Sequence, residues 1–177
     1  MAEELDRETI ERRDAALAHV RRYGDPVLRS RARPVERFDG ALEDQVGRMT
    51  QLLDDALGAG LAATQIGVMN RVFVYRAAPD APIGVFVNPV LEWHGEETQA
   101  GEEGCLSIPN VWVEVERALR VRVRGLDARG RERTVEAEGM EARVLQHELD
   151  HLDGVLMLDR ASQEARREAM RALRESS

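Results

Sequence analysis

The segment His147-Glu148-Leu149-Asp150-His151 decides both the fold and the chemistry that this sequence predicts. Successive residues of an α-helix are rotated by about 100°, so the two histidines lie within about 40° of each other on one helix face. Both imidazoles can therefore reach one metal ion, as in the H-E-x-x-H motif of metal-dependent hydrolases. Glu148 lies about 100° from His147, where a carboxylate can contact a water molecule beside the metal without being a ligand. The segment predicts a hydrolytic metal site with Glu148 as its general base.

The residues around this segment indicate that it belongs to a buried helix. The pattern predicts a helix over residues 140–152, closed by Asp153-Gly154. Met140 and Val144 share the histidine face, and apolar residues cover much of the rest of the helix: Ala142, Leu145, Leu149 and Leu152. Two alternatives are a solvated polar face and core histidines that hydrogen-bond to protein groups. The metal is favoured because buried imidazoles need partners, and a metal ion supplies one.

The third ligand separates several kinds of metal site. A metzincin protease has a histidine at the position where this chain has Met157. A thermolysin-like protease would use a glutamate further along, but the candidates lie in an Arg-rich segment that we expect to be exposed: Glu164, Glu168 and Glu175. The remaining candidate is Cys105, although a lone cysteine is more often a buried apolar residue. Cysteine and two histidines leave one coordination position open, as in catalytic sites.

Composition excludes several other functions. The chain has 177 residues, 43% of them hydrophobic, and a net charge of -8, which disfavours nucleic acid or an anionic membrane as its main partner. All 25 basic residues are arginines, so Schiff-base chemistry and a P-loop lysine are excluded. Cys105 is the single cysteine, which favours a reducing compartment. With no signal-like or membrane-spanning segment in the sequence, we expect a cytoplasmic protein.

The remaining patterns predict an α+β fold. Helices are predicted over residues 6–20, 42–57 with Gly58 as a cap, and 161–173, in addition to the H-E-x-x-H helix. Strands are predicted over residues 72–75, 85–93, 111–115 and 119–123, the last two with the alternation typical of antiparallel sheets. We expect antiparallel sheets packed around the buried central helix, and a C-terminal helix. Residues 1–22 are predicted to form a charged helical arm outside the core, and residues 23–177 one metallohydrolase domain.

Three segments together resemble the signature motifs of the peptide deformylase family. They are Gly58-Ala59-Gly60-Leu61-Ala62-Ala63-Thr64-Gln65, Glu103-Gly104-Cys105-Leu106-Ser107 and Gln146-His147-Glu148-Leu149-Asp150-His151. The resemblance extends from about Gly24 to about Arg160 and so covers most of the chain. It implies an enzyme that hydrolyses the N-formyl group from the initiator methionine of new polypeptides and releases formate. A zinc endopeptidase and a catalytically silent deformylase-like binding protein are the alternatives.

The resemblance also implies a role for each matching residue. Cys105, His147 and His151 would bind the metal, usually Fe²⁺ in this family, with Zn²⁺, Ni²⁺ or Co²⁺ able to replace it. Glu148 would be the catalytic acid and base. Gln65 and the backbone N–H of Leu106 would stabilise the developing oxyanion, and Gly60 would offer its backbone to the substrate. The implied partners are nascent N-formylmethionyl polypeptides, with no membrane and no nucleic-acid substrate.

Three further features concern the substrate and the ends of the chain. An apolar pocket for methionine is predicted from Ala59, Met140 and Val144, although these residues could simply fill core. Asn110 and Trp112 stand where many relatives have glycine and, in some members, an arginine that binds the substrate backbone. The C-terminal helix is predicted to carry a stripe of arginines that either contacts the ribosome, as in some relatives, or is an ordinary solvated face: Arg160, Arg167, Arg171 and Arg174.

Overall fold

Residues 4–176, the part of the chain that the computed structural model describes, form five α-helices and seven β-strands. The helices are α1 (Arg7–Leu17), α2 (Gly40–Asp55), α3 (Met140–Leu152), α4 (Met157–Arg160) and α5 (Gln163–Glu175). The strands are β1 (Gly60–Ala62), β2 (Val72–Tyr75), β3 (Gly84–His94), β4 (Thr98–Cys105), β5 (Ile108–Ala118), β6 (Arg120–Leu126) and β7 (Glu132–Glu138). Short 3₁₀ helices span Pro26–Arg29 and Ala63–Ile66.

The strands form two antiparallel sheets. The larger sheet has the order β1-β2-β3-β6-β7, and the smaller one consists of β4 and β5 alone. In β5 the inward positions Val111, Val113 and Val115 alternate with exposed residues, and they pack on α4 and α5. This alternation is that of a sheet with one face in water. The predicted α+β class, with antiparallel sheets and a C-terminal helix, is therefore confirmed.

Helix α3 lies at the centre of the molecule and contacts both sheets. Its apolar residues Leu145, Leu149 and Leu152 pack with Phe73 and Phe86 of the larger sheet. The helix begins directly after Gly139, whose φ of 65° suits glycine, and ends at Leu152, with Asp153 as its C-cap and Gly154 following at φ 73°. The range Met140–Leu152 agrees with the sequence prediction. Burial on several sides fits the apolar surface of this helix, and Met140, at its first position, is the exposed exception.

The N-terminal segment contacts the core more closely than the sequence suggested. Helix α1 begins after its N-cap Asp6 and ends at Leu17, three residues before the predicted end. Ala16 and Val20 are buried and join the same hydrophobic cluster as Met49 and Leu53 of α2. The expectation that the arm lies outside the core is wrong for these residues. The first two turns of α1 are so highly charged that the whole segment was predicted to be exposed, although the small apolar residues Ala16 and Val20 follow these turns.

The end of α2 differs from the prediction in an informative way. Gly58 was predicted as the cap, but the helix ends at Asp55, and Leu57 adopts the left-handed conformation with φ 57°. The N–H of Leu57 donates to the carbonyl of Asp54, and that of Gly58 donates to the carbonyl of Leu53, both at 3.1 Å. This is a Schellman ending in which leucine occupies the position usually taken by glycine. A side chain in this conformation costs about 1 kcal/mol or more.

Replacing Leu57 with Gly should therefore stabilise the protein. Leu57 is half exposed, so little burial is lost, and relief of the left-handed strain should raise Tm by about 2 °C. The measurement is thermal unfolding followed by circular dichroism. Gln51→Gly is the matched control, because glycine inside an exposed stretch of the same helix should lower Tm. A drop in Tm for both variants would contradict this account of the helix end.

Candidate metal centre

The three predicted ligands lie together although they come from distant parts of the chain. Cys105 ends β4, whereas His147 and His151 lie one turn apart on α3. The Cys105 Sγ is 3.4 Å from the His151 Nε2, which is 3.1 Å from the His147 Nε2, and the three ligand atoms all lie within 4.8 Å of one another. Ligands of a tetrahedral zinc-like ion are separated by about 3.4 Å, given bonds of 2.0–2.3 Å. The donor set and its spacing therefore fit a divalent metal ion.

The electrostatics of this group also favour a cation. Burial alone would lower the pKa of His147, but its contacts with Cys105 and Glu103 raise that pKa well above its ordinary value. Burial, followed by the nearby positive charge of His147, holds the pKa of His151 well below the usual range. The site therefore favours one positive charge beside the thiol and disfavours a second. A metal ion supplies that charge while leaving both imidazoles neutral, as ligands must be.

Glu103 fixes the orientation of His147. Its Oε1 accepts a hydrogen bond at 2.8 Å from the His147 Nδ1, which leaves Nε2 facing the other ligands. Burial would raise the pKa of Glu103, but hydrogen bonds from Arg117 and His147 outweigh it and lower this pKa to about 2. The carboxylate is therefore ionised and can hold the imidazole in the tautomer that binds a metal. Glu103 stands in one of the three motifs, but no role for it was predicted from the sequence.

Arg117 is a second residue of the site for which no role was predicted from the sequence. Its guanidinium makes two bonds to Glu103, at 2.8 and 2.9 Å, and one at 2.6 Å to Asp150 of α3. A signal for it exists in the sequence, because Arg117 follows Val111, Val113 and Val115 on the inward face of β5. An arginine at an inward position requires buried carboxylate partners.

Glu148 is buried beside the ligand group and is incompletely bonded. It is 2% exposed, and its Oε2 has no hydrogen-bond partner among the described residues. Burial, opposed by the nearby His147, raises the pKa of Glu148 to about 7. An orphaned carboxylate with a pKa near neutrality can both accept and return a proton. The geometry thus suits the predicted acid and base.

Gly60 provides the space that Glu148 occupies. A Cβ atom added at Gly60 would lie 2.7 Å from the Glu148 Cδ and 2.8 Å from its Cγ, closer than such atoms approach each other. Gly60 begins β1, which is antiparallel to β2. The role predicted for Gly60 was contact between its backbone and the substrate. The structure adds a reason for glycine here, which is the room that the Glu148 side chain needs.

The amide of Gln65 points toward the thiol. Gln65 lies on the 3₁₀ helix Ala63–Ile66, and its Oε1 accepts a hydrogen bond from the N–H of Ala62 at 2.9 Å. This contact turns its Nε2 toward Ser107 Oγ at 3.0 Å and Cys105 Sγ at 3.6 Å. Leu106 occupies the turn between β4 and β5, directly after Cys105. Both predicted oxyanion donors therefore adjoin the ligand group.

The predicted methionine pocket is only partly enclosed. Val144 is 8% exposed and lies one turn before His147 on α3, next to the site. Ala59 is exposed and precedes Gly60, whereas Met140 is 63% exposed at the first position of α3. Trp112 is also exposed, and its ring lies over Gly104, the residue before Cys105. The assignment of these residues to substrate stays a prediction.

A cavity of about 880 Å³ lies elsewhere on α3. Gln146, Leu149 and Asp150 line it, together with residues of β3 and β5, but its lining contains none of the predicted site residues. Arg117 and Asp150 both line this cavity, and Arg117 donates hydrogen bonds to Asp150 and to Glu103. Because the buried ligands and the orphaned carboxylate lie outside it, the chemistry points to the Cys105 group as the site.

The C-terminal region corrects one further expectation. Arg160 was predicted on the same stripe as the arginines of the last helix, but it ends the separate helix α4 and binds Asp150 at 2.9 and 3.1 Å. Arg167, Arg171 and Arg174 are exposed on α5, whose Ala169 packs in the core.

No helix within residues 4–176 is both long and apolar enough to cross a membrane.

A family model, relatives in sequence and solved structures all match this chain to the same family of proteins. The family model described as polypeptide deformylase matches residues 17–167. The peptide deformylase of Parafrankia sp. is 46% identical over 157 residues, which are 89% of this chain and 85% of that protein. The crystal structure of a peptide deformylase from Legionella pneumophila is 40% identical with a TM-score of 0.83, covering 89% of this chain and 93% of that one. A peptide deformylase from Synechococcus elongatus in complex with actinonin is 38% identical with a TM-score of 0.82, covering 89% and 86%.

Proposed function

Because the chain belongs to the polypeptide deformylase family, we propose that it removes the N-formyl group from the N-terminal formylmethionine of new polypeptides and releases formate. The observation that carries the proposal is the convergence of Cys105, His147 and His151 beside the buried, incompletely bonded Glu148. The matched family argues against a zinc endopeptidase. The presence of Glu148 and Gln65 argues against a silent binding protein, since both would be dispensable there.

Cys105, His147 and His151 would hold one divalent metal ion. Such an ion polarises a carbonyl and makes water acidic enough to supply hydroxide near neutral pH. We propose Fe²⁺ as the ion in the cell, with Zn²⁺, Ni²⁺ or Co²⁺ able to replace it, because one thiolate and two imidazoles suit all of them. The Glu103 carboxylate holds His147 for this purpose.

The chain's own groups then act on the formyl group. Glu148 accepts the proton of the attacking water and returns it to the departing amine, which would otherwise be a poor leaving group. Negative charge develops on the formyl oxygen, and the amide of Gln65 and the backbone N–H of Leu106 stabilise it. Each fixed donor of this kind lowers the barrier by about 3 kcal/mol. Gly60 presents its backbone to the peptide and leaves room for Glu148.

The substrate class suggests where the protein acts. New polypeptides carry formylmethionine while they leave the ribosome, so we propose that the protein works in the cytoplasm. Contact with the ribosome through the arginines of α5 stays a prediction. Removal of α5 would expose core residues that pack on it, so the sharper test is co-sedimentation with ribosomes of the charge-reversed variant Arg167→Glu/Arg171→Glu. Pelleting equal to that of wild type would contradict the contact.

The test of the proposed function is formate release from a formyl-Met-Ala-Ser peptide by protein purified without oxygen and loaded with Fe²⁺. We expect release by the loaded protein, loss of release after chelation, and recovery when Fe²⁺ or Co²⁺ is added back. The same peptide without the formyl group controls for cleavage of peptide bonds. Absence of formate from the iron-loaded protein, or cleavage of the unformylated control, would overturn the proposal.

A bulky residue at position 144 should weaken methionine binding. Val144 is buried one turn before His147. In Val144→Phe the phenyl ring, which is larger than the valine side chain, would fill space that the methionine side chain needs. We expect KM for formyl-Met peptides to rise about tenfold, with metal content intact. A change of this size corresponds to the binding free energy of one or two buried methylene groups. The same variant should lose less with a formyl-Ala peptide, whose side chain is smaller. An unchanged KM for formyl-Met peptides would rule out this pocket.

A further inference from the structure

Arg143 is a buried cation for which no role was predicted from the sequence. It lies on α3, four residues before His147, and is 7% exposed. Its guanidinium donates to the Glu103 Oε2 at 2.9 Å and to the carbonyls of Gln99 at 2.6 Å and Val115 at 2.8 Å. These partners all belong to β4 and β5, so one helical side chain holds both strands of the hairpin that carries Cys105.

The bond to Glu103 connects Arg143 to the ligand group. Each oxygen of the Glu103 carboxylate accepts two hydrogen bonds. Oε1 accepts from His147 at 2.8 Å and from Arg117 at 2.9 Å, and Oε2 accepts from Arg117 at 2.8 Å and from Arg143 at 2.9 Å. Arg117 reaches the carboxylate from β5, whereas Arg143 reaches it from the helix that also carries His147. Two residues one turn apart on α3 thus hold the two oxygens of one carboxylate.

We propose that Arg143 is a positioning residue for the metal centre. It acts through Glu103 and holds the carboxylate in the orientation that keeps the His147 Nδ1 proton bonded and the Nε2 free for the metal. It also fixes the hairpin against α3, and with it the position of Cys105 relative to both histidines. Among the described residues, the Arg143 guanidinium bonds to Glu103 and to backbone carbonyls of the hairpin, and to none of the three ligands. The proposal rests on the metal site of the proposed function.

The geometry requires arginine rather than any cation. A guanidinium is planar and has five donors in a fixed fork, so it can serve a carboxylate and several carbonyls at once. The guanidinium lies flat against Gly101, where a Cβ atom would be 3.1 Å from its Nη2. A lysine keeps the charge but presents its donors from a single nitrogen. Arg143→Lys therefore separates the geometric role from the charge.

The test compares Co²⁺ binding by the wild type and Arg143→Lys, with folding verified by circular dichroism and thermal unfolding. We expect Arg143→Lys to fold, to bind Co²⁺ about 10- to 100-fold more weakly in competition with a chelator, and to show altered visible absorption of the bound Co²⁺. The matched control is Gln146→Ala. Gln146 also connects α3 to the hairpin, through the N–H and carbonyl of Ala118, but does not contact Glu103. Its loss should leave Co²⁺ affinity and absorption unchanged.

Three results would overturn the proposal. The first is wild-type affinity and absorption in folded Arg143→Lys. The second is an equal loss of affinity in Gln146→Ala, which would mean that any link between the helix and the hairpin matters. The third is failure of Arg143→Lys to fold, which would assign Arg143 to the fold alone. Because the readout is Co²⁺ binding, a wild type that binds Co²⁺ without releasing formate would refute the proposed function and leave this inference standing.

Discussion

Replacing Glu148 with Gln should lower kcat for formate release by about 10²- to 10⁴-fold, the range expected for loss of a general acid and base. Glutamine has nearly the same shape, so the neighbouring ligands should keep their positions and the metal should stay bound. What the variant loses is the ability to accept and return a proton. Glu148 is buried and its Oε2 has no hydrogen-bond partner among the described residues, so this oxygen is free to accept the proton.

The measurement is single-turnover formate release together with metal content for the same preparation. Glu141→Gln is the matched control, since Glu141 is a carboxylate in the first turn of the same helix, and its one side-chain hydrogen bond within residues 4–176 comes from the Tyr75 hydroxyl at 3.4 Å. This control should keep full activity. A Glu148→Gln variant that holds metal and remains within tenfold of wild type would show that another group moves the proton.

Much of the fold follows from local sequence patterns. Helix α3 is predictable residue for residue, because its apolar spacing and its terminal Asp153-Gly154 agree with each other. Strands β1, β4 and β7 were not predicted. β4 and β7 are rich in charged and small residues, and β1 has only three residues, so none shows a hydrophobic alternation of its own. Their strand conformation depends on pairing with β2, β5 and β6, which is non-local information.

The candidate site divides in the same way. The spacing of His147 and His151 within one helix gives the metal site directly, and Cys105 follows as the only thiol. The residues that orient these ligands could not be assigned, because Glu103, Arg117 and Arg143 meet only after the hairpin folds onto α3. Charged residues are also frequent in this chain, at 33%, so a buried arginine has no distinctive sequence signal unless its strand alternation is followed. The contacts that hold a site are thus harder to predict than its ligands.

Gly60→Ala should lower kcat/KM for formyl-Met peptides by about 100-fold, because a shift of about 1 Å in a catalytic group has an effect of this size. The added methyl group would overlap the Glu148 side chain, which is buried and must move away from its position to make room. Gly60 does not have a positive φ, so alanine fits the backbone, and strain there does not contribute. The loss of activity should therefore exceed what any loss of stability explains.

Gly47→Ala is the matched control for this prediction. Gly47 lies in α2, where an added Cβ meets no atom of the described residues within 4 Å, so alanine should stabilise the helix by about 0.5–1 kcal/mol and leave formate release unchanged. Metal content, Tm and kcat/KM measured on both variants separate displacement of Glu148 from loss of the ligand group. If Gly60→Ala folds and retains metal but is inactive, Gly60 acts through the position of Glu148 or through its contact with the substrate, and not through metal binding. If it retains wild-type activity, the close packing of Gly60 against Glu148 is irrelevant to catalysis, and the backbone contact alone remains to explain the glycine.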